Sequence, residues 1–217
     1  MEKCQFKHQF GRDDIEIKSK ENLYKGFFKI DLYEFDHASF AGGKITSVKR
    51  EVFERGHAVA VLPYDPIRNE VVLIEQLRIG AIATKSSPWL LEIVAGMIDK
   101  EESKEQVAMR EAQEEAGLKI KKLIPMMDYL SSPGGTTERI YLYLGIVDST
   151  DVTGIYGLPE EQEDIRVQVF NYQQALDLLQ SGDIDNAATV ICMQWLALNK
   201  SKIDEGYKHN EQSEGGE

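Results

Sequence analysis

The alternation of apolar and polar positions divides the chain into a strand-rich first half and a mixed second half. Apolar and β-branched runs bounded by turn residues predict strands at residues 27–35, 58–62, 71–77, 120–127, 140–147 and 165–170. The second and third of these runs flank Asp65-Pro66-Ile67-Arg68-Asn69, a strong turn sequence. They are therefore predicted to pair as a hairpin.

Helical signals occur in the second half of the chain. A helix is predicted over about residues 104–116, because Ser103 and Gln106 form a capping box and Gly117 provides a stop. Two further helices are predicted near residues 173–180 and 187–199. The acidic, glycine-containing loop at residues 148–164 lacks periodicity, and loops of this length are often functional.

The same pattern predicts the domain organisation. Residues 1–50 are predicted to form a small N-terminal β domain, because Gly42-Gly43 interrupts this stretch and the clearest core hairpin follows it. Residues 51–200 are predicted to form the main domain. Residues 201–217 are rich in Glu, Ser, Gly and Lys, which predicts a disordered polar tail.

Composition narrows the classes of function. The 217 residues carry 37 acids and 25 Lys and Arg, a formal charge of −12, which argues against binding to nucleic acid or to an anionic membrane. An acidic protein that handles phosphates needs a cation, and Mg²⁺ prefers carboxylate and phosphate oxygens. Two distant cysteines indicate free thiols, and no apolar run approaches the roughly 18 residues that span a bilayer. A soluble cytoplasmic protein is expected.

The predicted helix at 104–116 carries the candidate chemistry. Glu111 and Glu115 are four residues apart and share one face, with Glu114 beside them, while small residues form a separate packing stripe at Ala108, Ala112 and Ala116. For a generic helix, a solvated acidic face is the commoner explanation. The full spacing runs from Gly96 and Glu102 to Gly117, and a chance match at its seven fixed positions has odds on the order of 10⁻⁸ per starting point.

This segment resembles the signature of the Nudix hydrolases, Gly-x5-Glu-x7-Arg-Glu-U-x-Glu-Glu-x-Gly-U, where U is a bulky aliphatic residue. It departs only at Ala112, which fills a U position. The resemblance implies an α/β fold of the α/β/α sandwich type with a mixed sheet, and attack by water on a nucleoside diphosphate linked to another group. It also implies Mg²⁺ as cofactor, with Mn²⁺ as a substitute. The implied metal ligands are Glu111, Glu115 and the carbonyl of Ala95, with Glu114 as a further ligand and with Arg110 and Glu102 orienting the set.

Outside the signature, the chain is similar to the ADP-ribose pyrophosphatases of this family from about Leu23 to Leu198. The similar passages lie at residues 23–28, 53–58, 132–136 and 163–167, and Pro133 follows Gly117 by sixteen residues as in that subfamily. The Pro133-Gly134-Gly135 loop is weak by itself, because a tight turn explains it equally well and a similar loop occurs in Nudix enzymes that cleave GDP-mannose.

The resemblance also implies roles outside the helix. Glu161 would be the general base and Glu163 an additional metal contact, although composition alone favours a solvated loop there. The implied substrate contacts are Arg50 and Arg78 on phosphate and ribose, Glu138 on ribose hydroxyls, Phe27 on adenine, and the loop at Pro133 and Gly134. Each single Arg could otherwise be a surface charge, and Phe27 could be a core residue.

The expected reaction is therefore Mg²⁺-dependent hydrolysis of ADP-ribose to AMP and ribose 5-phosphate. The alternatives are another nucleoside diphosphate sugar such as GDP-mannose, and a non-catalytic ADP-ribose sensor. Similar proteins are homodimers in which the N-terminal segment contributes to the partner's site, and the same is expected here.

Overall fold

The computed structural model of the protein describes residues 6–98 and 101–214, with the backbone alone for residues 208–214. The chain forms two compact units. The first unit comprises the residues up to Gly56 together with Leu130–Glu138, and the second comprises His57–Tyr129 and the residues from Arg139 onward. The sequence predicts the boundary at residue 50 and gives no sign that a later segment joins the first unit.

The first unit contains an antiparallel three-stranded sheet of β1 (Ile15–Lys25), β2 (Lys29–Ala38) and β3 (Lys44–Glu54). Only β2 has a counterpart among the predicted strands. All eleven residues of β1 are exposed, and most of β3 is exposed as well. Because neither strand has a fully buried face, neither shows the apolar alternation on which a strand prediction depends.

The second unit contains a larger sheet and three helices. Its elements in chain order are β4 (Ala58–Asp65), β5 (Glu70–Leu77), β6 (Trp89–Glu92), β7 (Val94–Met97), α1 (Lys104–Ala116), β8 (Lys122–Leu130), β9 (Arg139–Ile146), β10 (Gly154–Tyr156), β11 (Ile165–Asn171), α2 (Tyr172–Ser181) and α3 (Ala187–Glu214). The predicted α1 is confirmed to the residue. The short strands β6, β7 and β10 are absent from the sequence prediction because four or fewer residues carry little periodicity.

The sheet order is β10-β11-β5-β4-β9-β8, with β6 also pairing β5 and β7 also pairing β4. The β4–β9 pair is parallel and the β4–β5 and β4–β7 pairs are antiparallel, so the sheet is mixed. The predicted β4–β5 hairpin is confirmed, and Asp65 Oδ1 accepts hydrogen bonds from the backbone N–H groups of Ile67 (2.9 Å) and Arg68 (3.0 Å) in its turn.

Apolar residues alternate across β4, so each face of the sheet buries a different layer. On one face, Leu62 lies in a core cluster with Met193 and Leu196 of α3. On the other face, Val59 and Val61 lie in a cluster with residues of α1. Helices therefore cover both faces of a mixed sheet, which confirms the predicted α/β/α sandwich.

The C-terminal helix corrects the prediction of a disordered tail from residue 201. Helix α3 continues to Glu214, and the Tyr64 hydroxyl donates a 2.8 Å hydrogen bond to Asp204, which also pairs with Lys200. Ile203 and Tyr207 pack against the core from the same helix. Residues 215–217 lie outside the described residues, as does Cys4, whereas Cys192 is a buried free thiol.

None of the helices in the described part of the chain is both long and apolar enough to cross a membrane.

Candidate active site

The acidic face of α1 is set by strong local signals at both ends of the helix. Ser103 Oγ accepts a hydrogen bond from the backbone of Gln106 (3.2 Å), and Gln106 Oε1 accepts one from the backbone of Ser103 (2.8 Å). Gly117 ends the helix in the left-handed region with φ of 64°. The buried stripe predicted on this helix is confirmed at Ala108, Ala112 and Ala116. The carboxylates consequently lie on a face of fixed orientation.

Glu115 is the most unusual of these acids because its side chain belongs to the buried part of the helix. The residue is only 3% exposed, and its Oε2 accepts a 3.0 Å hydrogen bond from the backbone N–H of Ala95. Burial raises the pKa of Glu115 to about 8, the Ala95 N–H opposes this, and the charges of Glu111 and Glu163 add to it. The carboxyl of Glu115 is therefore held protonated up to a higher pH than usual, unless a positive charge is bound beside it.

Glu111 occupies the space directly above Gly96 in β7. A side-chain carbon at Gly96 would lie well inside the van der Waals radius of the Glu111 carboxylate, so only glycine admits that carboxylate here. Burial raises the pKa of Glu111, Arg110 opposes the shift, and the charges of Glu114 and Glu163 reinforce it. Two positions of the sequence signature, Gly96 and Glu111, therefore depend on each other sterically, although they lie fifteen positions apart in the sequence.

Arg110 contacts three of the acidic side chains of the signature. Its Nε lies 3.2 and 3.3 Å from the two carboxylate oxygens of Glu102, and its Nη1 donates to Glu111 (2.9 Å) and Glu114 (2.8 Å). Partial burial lowers the pKa of Arg110, but the hydrogen bonds to Glu102 and Glu114 and the charge of Glu111 outweigh it and raise the pKa. The predicted pairing of Arg110 with Glu114 is confirmed, and Arg110 also contacts Glu102 as the orienting role requires.

The loop at residues 148–164 brings Glu163 to the helix but leaves Glu161 apart. Glu163 Oε2 accepts a 3.1 Å hydrogen bond from the backbone of Leu158, and the Gly157 N–H donates to the carbonyl of Glu114 at the end of α1. Glu161 ends a short 3-10 helix (Pro159–Glu161) with an exposed side chain, which makes no hydrogen bond or ion pair to the described residues. The role of Glu161 as base stays a prediction.

Arg78 reaches the same region from the end of β5. Its Nε donates a 2.8 Å hydrogen bond to Glu92 Oε2, and its charge acts on Glu115 by lowering the pKa of that carboxyl. Gln76 contacts the same Glu92 oxygen at 3.3 Å. Neither Glu92 nor Gln76 is among the site residues predicted from the sequence. A signal was available, because Glu92 is the single charge in the apolar run 89–97, and a charge buried with a strand needs a partner.

The other predicted substrate residues all lie in the first unit. Phe27 is 86% exposed at the turn between β1 and β2, and its ring contacts Phe28 edge to face. Arg50 is exposed on β3, where its Nη1 donates to the carbonyl of Lys49 (2.7 Å). Neither arrangement tests the predicted contacts with substrate, which stay predictions.

The segment Leu130–Glu138 contains the remaining predicted contacts. Pro133 and Gly134 form an exposed turn, which the Gly135 N–H closes by donating a 3.0 Å hydrogen bond to the carbonyl of Ser132, and the carbonyl of Gly135 accepts a 2.8 Å hydrogen bond from the backbone of Phe53. Glu138 is 6% exposed, and its Oε1 lies 3.1 Å from Nε of Arg55. The Glu138 carboxylate therefore already has a cationic partner within the first unit, and its predicted contact with ribose hydroxyls stays a prediction.

Comparison with known proteins identifies the family. A family model described as the NUDIX domain matches residues 54–190, which is more than half of the chain. The chain belongs to the Nudix family. The resemblance of residues 96–118 to the Nudix signature is thereby confirmed.

Several Nudix proteins are similar to this chain over nearly its whole length. An ADP-ribose pyrophosphatase of Escherichia coli strain K12 is 55% identical over 194 residues, covering 89% of this chain and 93% of that protein. An ADP-ribose pyrophosphatase of Haemophilus influenzae is 46% identical over 204 residues, covering 93% of this chain and 94% of that protein. A GDP-mannose pyrophosphatase of Yersinia pestis is 32% identical over 190 residues, covering 85% and 92%.

A solved structure supports the fold. The crystal structure of an ADP compounds hydrolase superposes with a TM-score of 0.68 at 18% identity, covering 87% of this chain and 96% of the other. At this identity the likeness extends to the fold alone.

Nudix hydrolases generally use a divalent metal, and the residues of the acidic face fit one. Glu111, Glu115 and Glu163 supply only carboxylate oxygens, the donors that hard cations prefer. Besides burial, the charge of Glu163 raises the pKa of both Glu111 and Glu115, an effect that a bound cation would offset. Among the described residues, no three His, Cys, Asp or Glu side chains already form a closed metal cage. Arg110 holds Glu111 and Glu114 in their present positions through its two Nη1 hydrogen bonds.

Proposed function

We propose that this Nudix protein hydrolyses ADP-ribose to AMP and ribose 5-phosphate in the presence of Mg²⁺. The observation that carries the proposal is the buried carboxyl of Glu115 on the signature helix, which the charges of Glu111 on the same helix and of Glu163 in the following loop both act upon. A bound cation would allow all three carboxylates to be ionised together. The identity of 55% with a protein named ADP-ribose pyrophosphatase supports the choice of substrate.

Mg²⁺ would be held by the carbonyl of Ala95 and the carboxylates of Glu111, Glu115 and Glu163, and Mn²⁺ would substitute for it. When bound, such a metal acidifies water and neutralises the charge of the diphosphate. Glu114 is proposed as a further ligand. Arg110 and Glu102 set the positions of the acids through the contacts described above.

Several side chains outside the signature helix are proposed to bind the substrate. Arg78 and Arg50 are proposed to bind phosphate and terminal ribose, because a guanidinium offers several donors in one plane. Phe27 is proposed to stack on adenine, which its 86% exposure allows, and Glu138 to accept from ribose hydroxyls. The turn at Pro133 and Gly134 would border the terminal ribose.

Water is proposed to attack the adenosyl phosphorus. Its oxygen forms the new bond to that phosphorus while the bond to the bridging oxygen breaks, so ribose 5-phosphate leaves and AMP carries the new oxygen. Glu161 accepts the proton of the attacking water. Its exposed position on the short 3-10 helix leaves the carboxylate unencumbered by other contacts among the described residues.

Glu161→Gln is expected to lower kcat about 10²- to 10⁴-fold, the range that a general base contributes, and to leave KM for ADP-ribose nearly unchanged. Steady-state kinetics would measure this. Glu160→Gln is the matched control, since it removes the neighbouring exposed carboxylate, and it should keep kcat within about twofold. Loss of activity in the control, with Glu161→Gln unaffected, would move the base by one residue.

The runner-up substrate is GDP-mannose, because a GDP-mannose pyrophosphatase is 32% identical to the chain. We expect kcat/KM with Mg²⁺ to be at least about tenfold higher for ADP-ribose than for GDP-mannose, a ratio that corresponds to about 1.4 kcal/mol. A panel of nucleoside diphosphate sugars at equal Mg²⁺ measures the ratio. A higher value for GDP-mannose would replace the proposed substrate and keep the chemistry.

A non-catalytic ADP-ribose sensor is the alternative of a different class. Such a protein could lose a catalytic acid without consequence, whereas this chain carries the complete signature at Glu102, Arg110, Glu111, Glu114 and Glu115. The complete set favours an enzyme.

A homodimer is also proposed, with the N-terminal segment of one chain contributing to the partner's site. Support comes from β1, whose eleven residues are all exposed, including Ile15, Ile17 and Leu23. A small sheet with so much uncovered apolar surface is a candidate for association. Light scattering should give twice the chain mass of 24.6 kDa.

A cytoplasmic location is proposed, in keeping with a nucleotide-sugar substrate and the free thiol of Cys192.

A further inference from the structure

The buried carboxylate of Glu92 has no role in the chemistry described above. Glu92 lies opposite Ile74 in the antiparallel β5–β6 pair, and opposed residues of such a pair point to the same face of the sheet. Ile74 packs in the cluster that contains Ala112 and Ala116 of α1. Glu92 therefore points to the face of the sheet that carries the acidic helix.

The backbone on both sides of Glu92 is fixed by the first turn of α3. Asn186 Nδ2 donates a 2.6 Å hydrogen bond to the carbonyl of Leu91, and the N–H of Ile93 donates a 3.0 Å hydrogen bond to Thr189 Oγ1. Thr189 is fully buried and in turn contacts Asn186 at 2.5 Å. Because strand pairing and these two bonds hold its neighbours, Glu92 has a well-defined position.

The side chain of Glu92 is 12% exposed and makes two contacts, both through Oε2. Burial raises the pKa of Glu92, and the charge and hydrogen bond of Arg78 oppose this shift. An unpaired carboxylate at such a site is strongly unfavourable, so the partner Arg78 is required for Glu92 to be ionised. A largely buried charge in an otherwise apolar strand costs free energy of folding, which points to a task for the pair.

The Glu92–Arg78 pair leaves the two terminal nitrogens of Arg78 available for another ligand. Glu92 engages Nε of Arg78, and within the described residues no acceptor contacts its two terminal nitrogens. The Arg78 side chain is 45% exposed, and its charge acts on Glu115. A guanidinium fixed at Nε keeps both Nη groups free in one plane, an arrangement suited to phosphate oxygens.

We infer that Glu92 is a positioning residue, which holds Arg78 by Nε so that its two terminal nitrogens face an anion beside the acidic helix. The inference rests on the proposed function, in which Arg78 contacts the diphosphate substrate. Asn186 and Thr189 anchor the backbone from which Glu92 acts.

A double-mutant cycle with Glu92→Ala and Arg78→Ala tests the coupling. In the wild-type background, Glu92→Ala is expected to raise KM for ADP-ribose about tenfold with a smaller effect on kcat, the size seen when a supporting residue behind a ligand is lost. In the Arg78→Ala background the same change should alter kcat/KM by less than about twofold. Equal losses in both backgrounds would assign Glu92 a merely structural role and overturn the inference.

Two further variants separate positioning from folding. Glu92→Gln keeps an oxygen acceptor in place, so its KM for ADP-ribose is expected to lie much closer to the wild-type value than that of Glu92→Ala. Glu75→Ala is the matched control, because Glu75 accepts a 2.8 Å hydrogen bond from Nε of Arg166 in the same sheet. It alternates with Gln76 to the opposite face, so it should leave KM within about twofold. A tenfold rise of KM in the Glu75 variant would contradict the assignment.

An NMR experiment tests the pairing of Glu92 with Arg78 independently of enzymatic activity. The ¹H–¹⁵N signal of the Arg78 Nε–H group, assigned by its loss in Arg78→Ala, should be sharp and protected in the wild type and exchange-broadened in Glu92→Ala. An unchanged signal would overturn the inference. Absence of ADP-ribose cleavage by the wild type, with the signal behaving as expected, would instead refute the proposed function and leave the Glu92–Arg78 pairing established.

Discussion

Glu115→Gln is expected to abolish hydrolysis and to stabilise the metal-free protein at alkaline pH. The amide keeps the shape of the side chain and can still accept the hydrogen bond from the Ala95 N–H, but it cannot balance the charge of a cation. We expect kcat/KM to fall about 10³-fold or more, in line with the loss of a group that stabilises charge at a reacting phosphate.

The stabilising effect follows from the direction of the pKa shift. Burial raises the pKa of Glu115 from its ordinary value of 4.5 to about 8. The folded state therefore holds the proton more tightly than the unfolded state, and the stability due to this group is fully present below pH 4.5. It is lost as the pH rises through about 8. Glu115→Gln cannot ionise, so its stability lacks this decline.

The predicted difference is large enough to measure. At pH 8.5 in EDTA, the variant should exceed the wild type by on the order of 3 kcal/mol in free energy of unfolding, which corresponds to about 5–10 °C in Tm. At pH 4 the two should be similar. Adding Mg²⁺ should raise the Tm of the wild type and leave that of the variant nearly unchanged. Unchanged activity, or an equal Mg²⁺ response in both proteins, would contradict the assignment of Glu115 as a metal ligand.

Gly96→Ala is expected to lower kcat/KM about 10²-fold while the protein stays folded. The added carbon would occupy the position of the Glu111 carboxylate, so that carboxylate has to swing away from the acidic face. Weakening of a single metal ligand, with the others retained, accounts for a loss of this size. Titration of activity with Mg²⁺ should show a higher half-saturating concentration.

A double variant tests whether Gly96→Ala acts through a steric clash with Glu111. If Gly96→Ala acts by displacing Glu111, then Gly96→Ala with Glu111→Gln should be no worse than Glu111→Gln alone. Gly206→Ala in α3 is the matched control, because among the described residues no atom outside the adjoining helix backbone lies within 4 Å of the added carbon, and it should keep full activity. Additive losses in the double variant would show that Gly96→Ala damages the site by another route.

The sequence predicts α1 and its chemistry well because the signals are local. Ser103, Gln106 and Gly117 define the two ends of the helix from within a short window, and the spacing of Glu111 and Glu115 defines a face without reference to the rest of the chain. The β4–β5 hairpin is predicted for the same reason, since the turn residues lie between its strands.

Features that depend on contacts between distant parts of the chain could not be predicted from local sequence signals. The part of α3 around Asp204 has a polar composition typical of a tail, but it packs on the fold because Asp204 accepts a hydrogen bond from the Tyr64 hydroxyl, 140 residues away in sequence. The role of Glu92 depends on Arg78 and on the anchor at Asn186, neither of which is a sequence neighbour. The assignment of Glu161 depends on where a loop places one of several adjacent acids.

The most direct test of the account is hydrolysis of ADP-ribose by the purified protein with Mg²⁺ in ¹⁸O-labelled water, followed by mass spectrometry of the products. We expect equal amounts of AMP and ribose 5-phosphate, with the label in AMP, and no product in EDTA or with Glu115→Gln. Absence of AMP in the presence of Mg²⁺, or undiminished cleavage by Glu115→Gln, would contradict it.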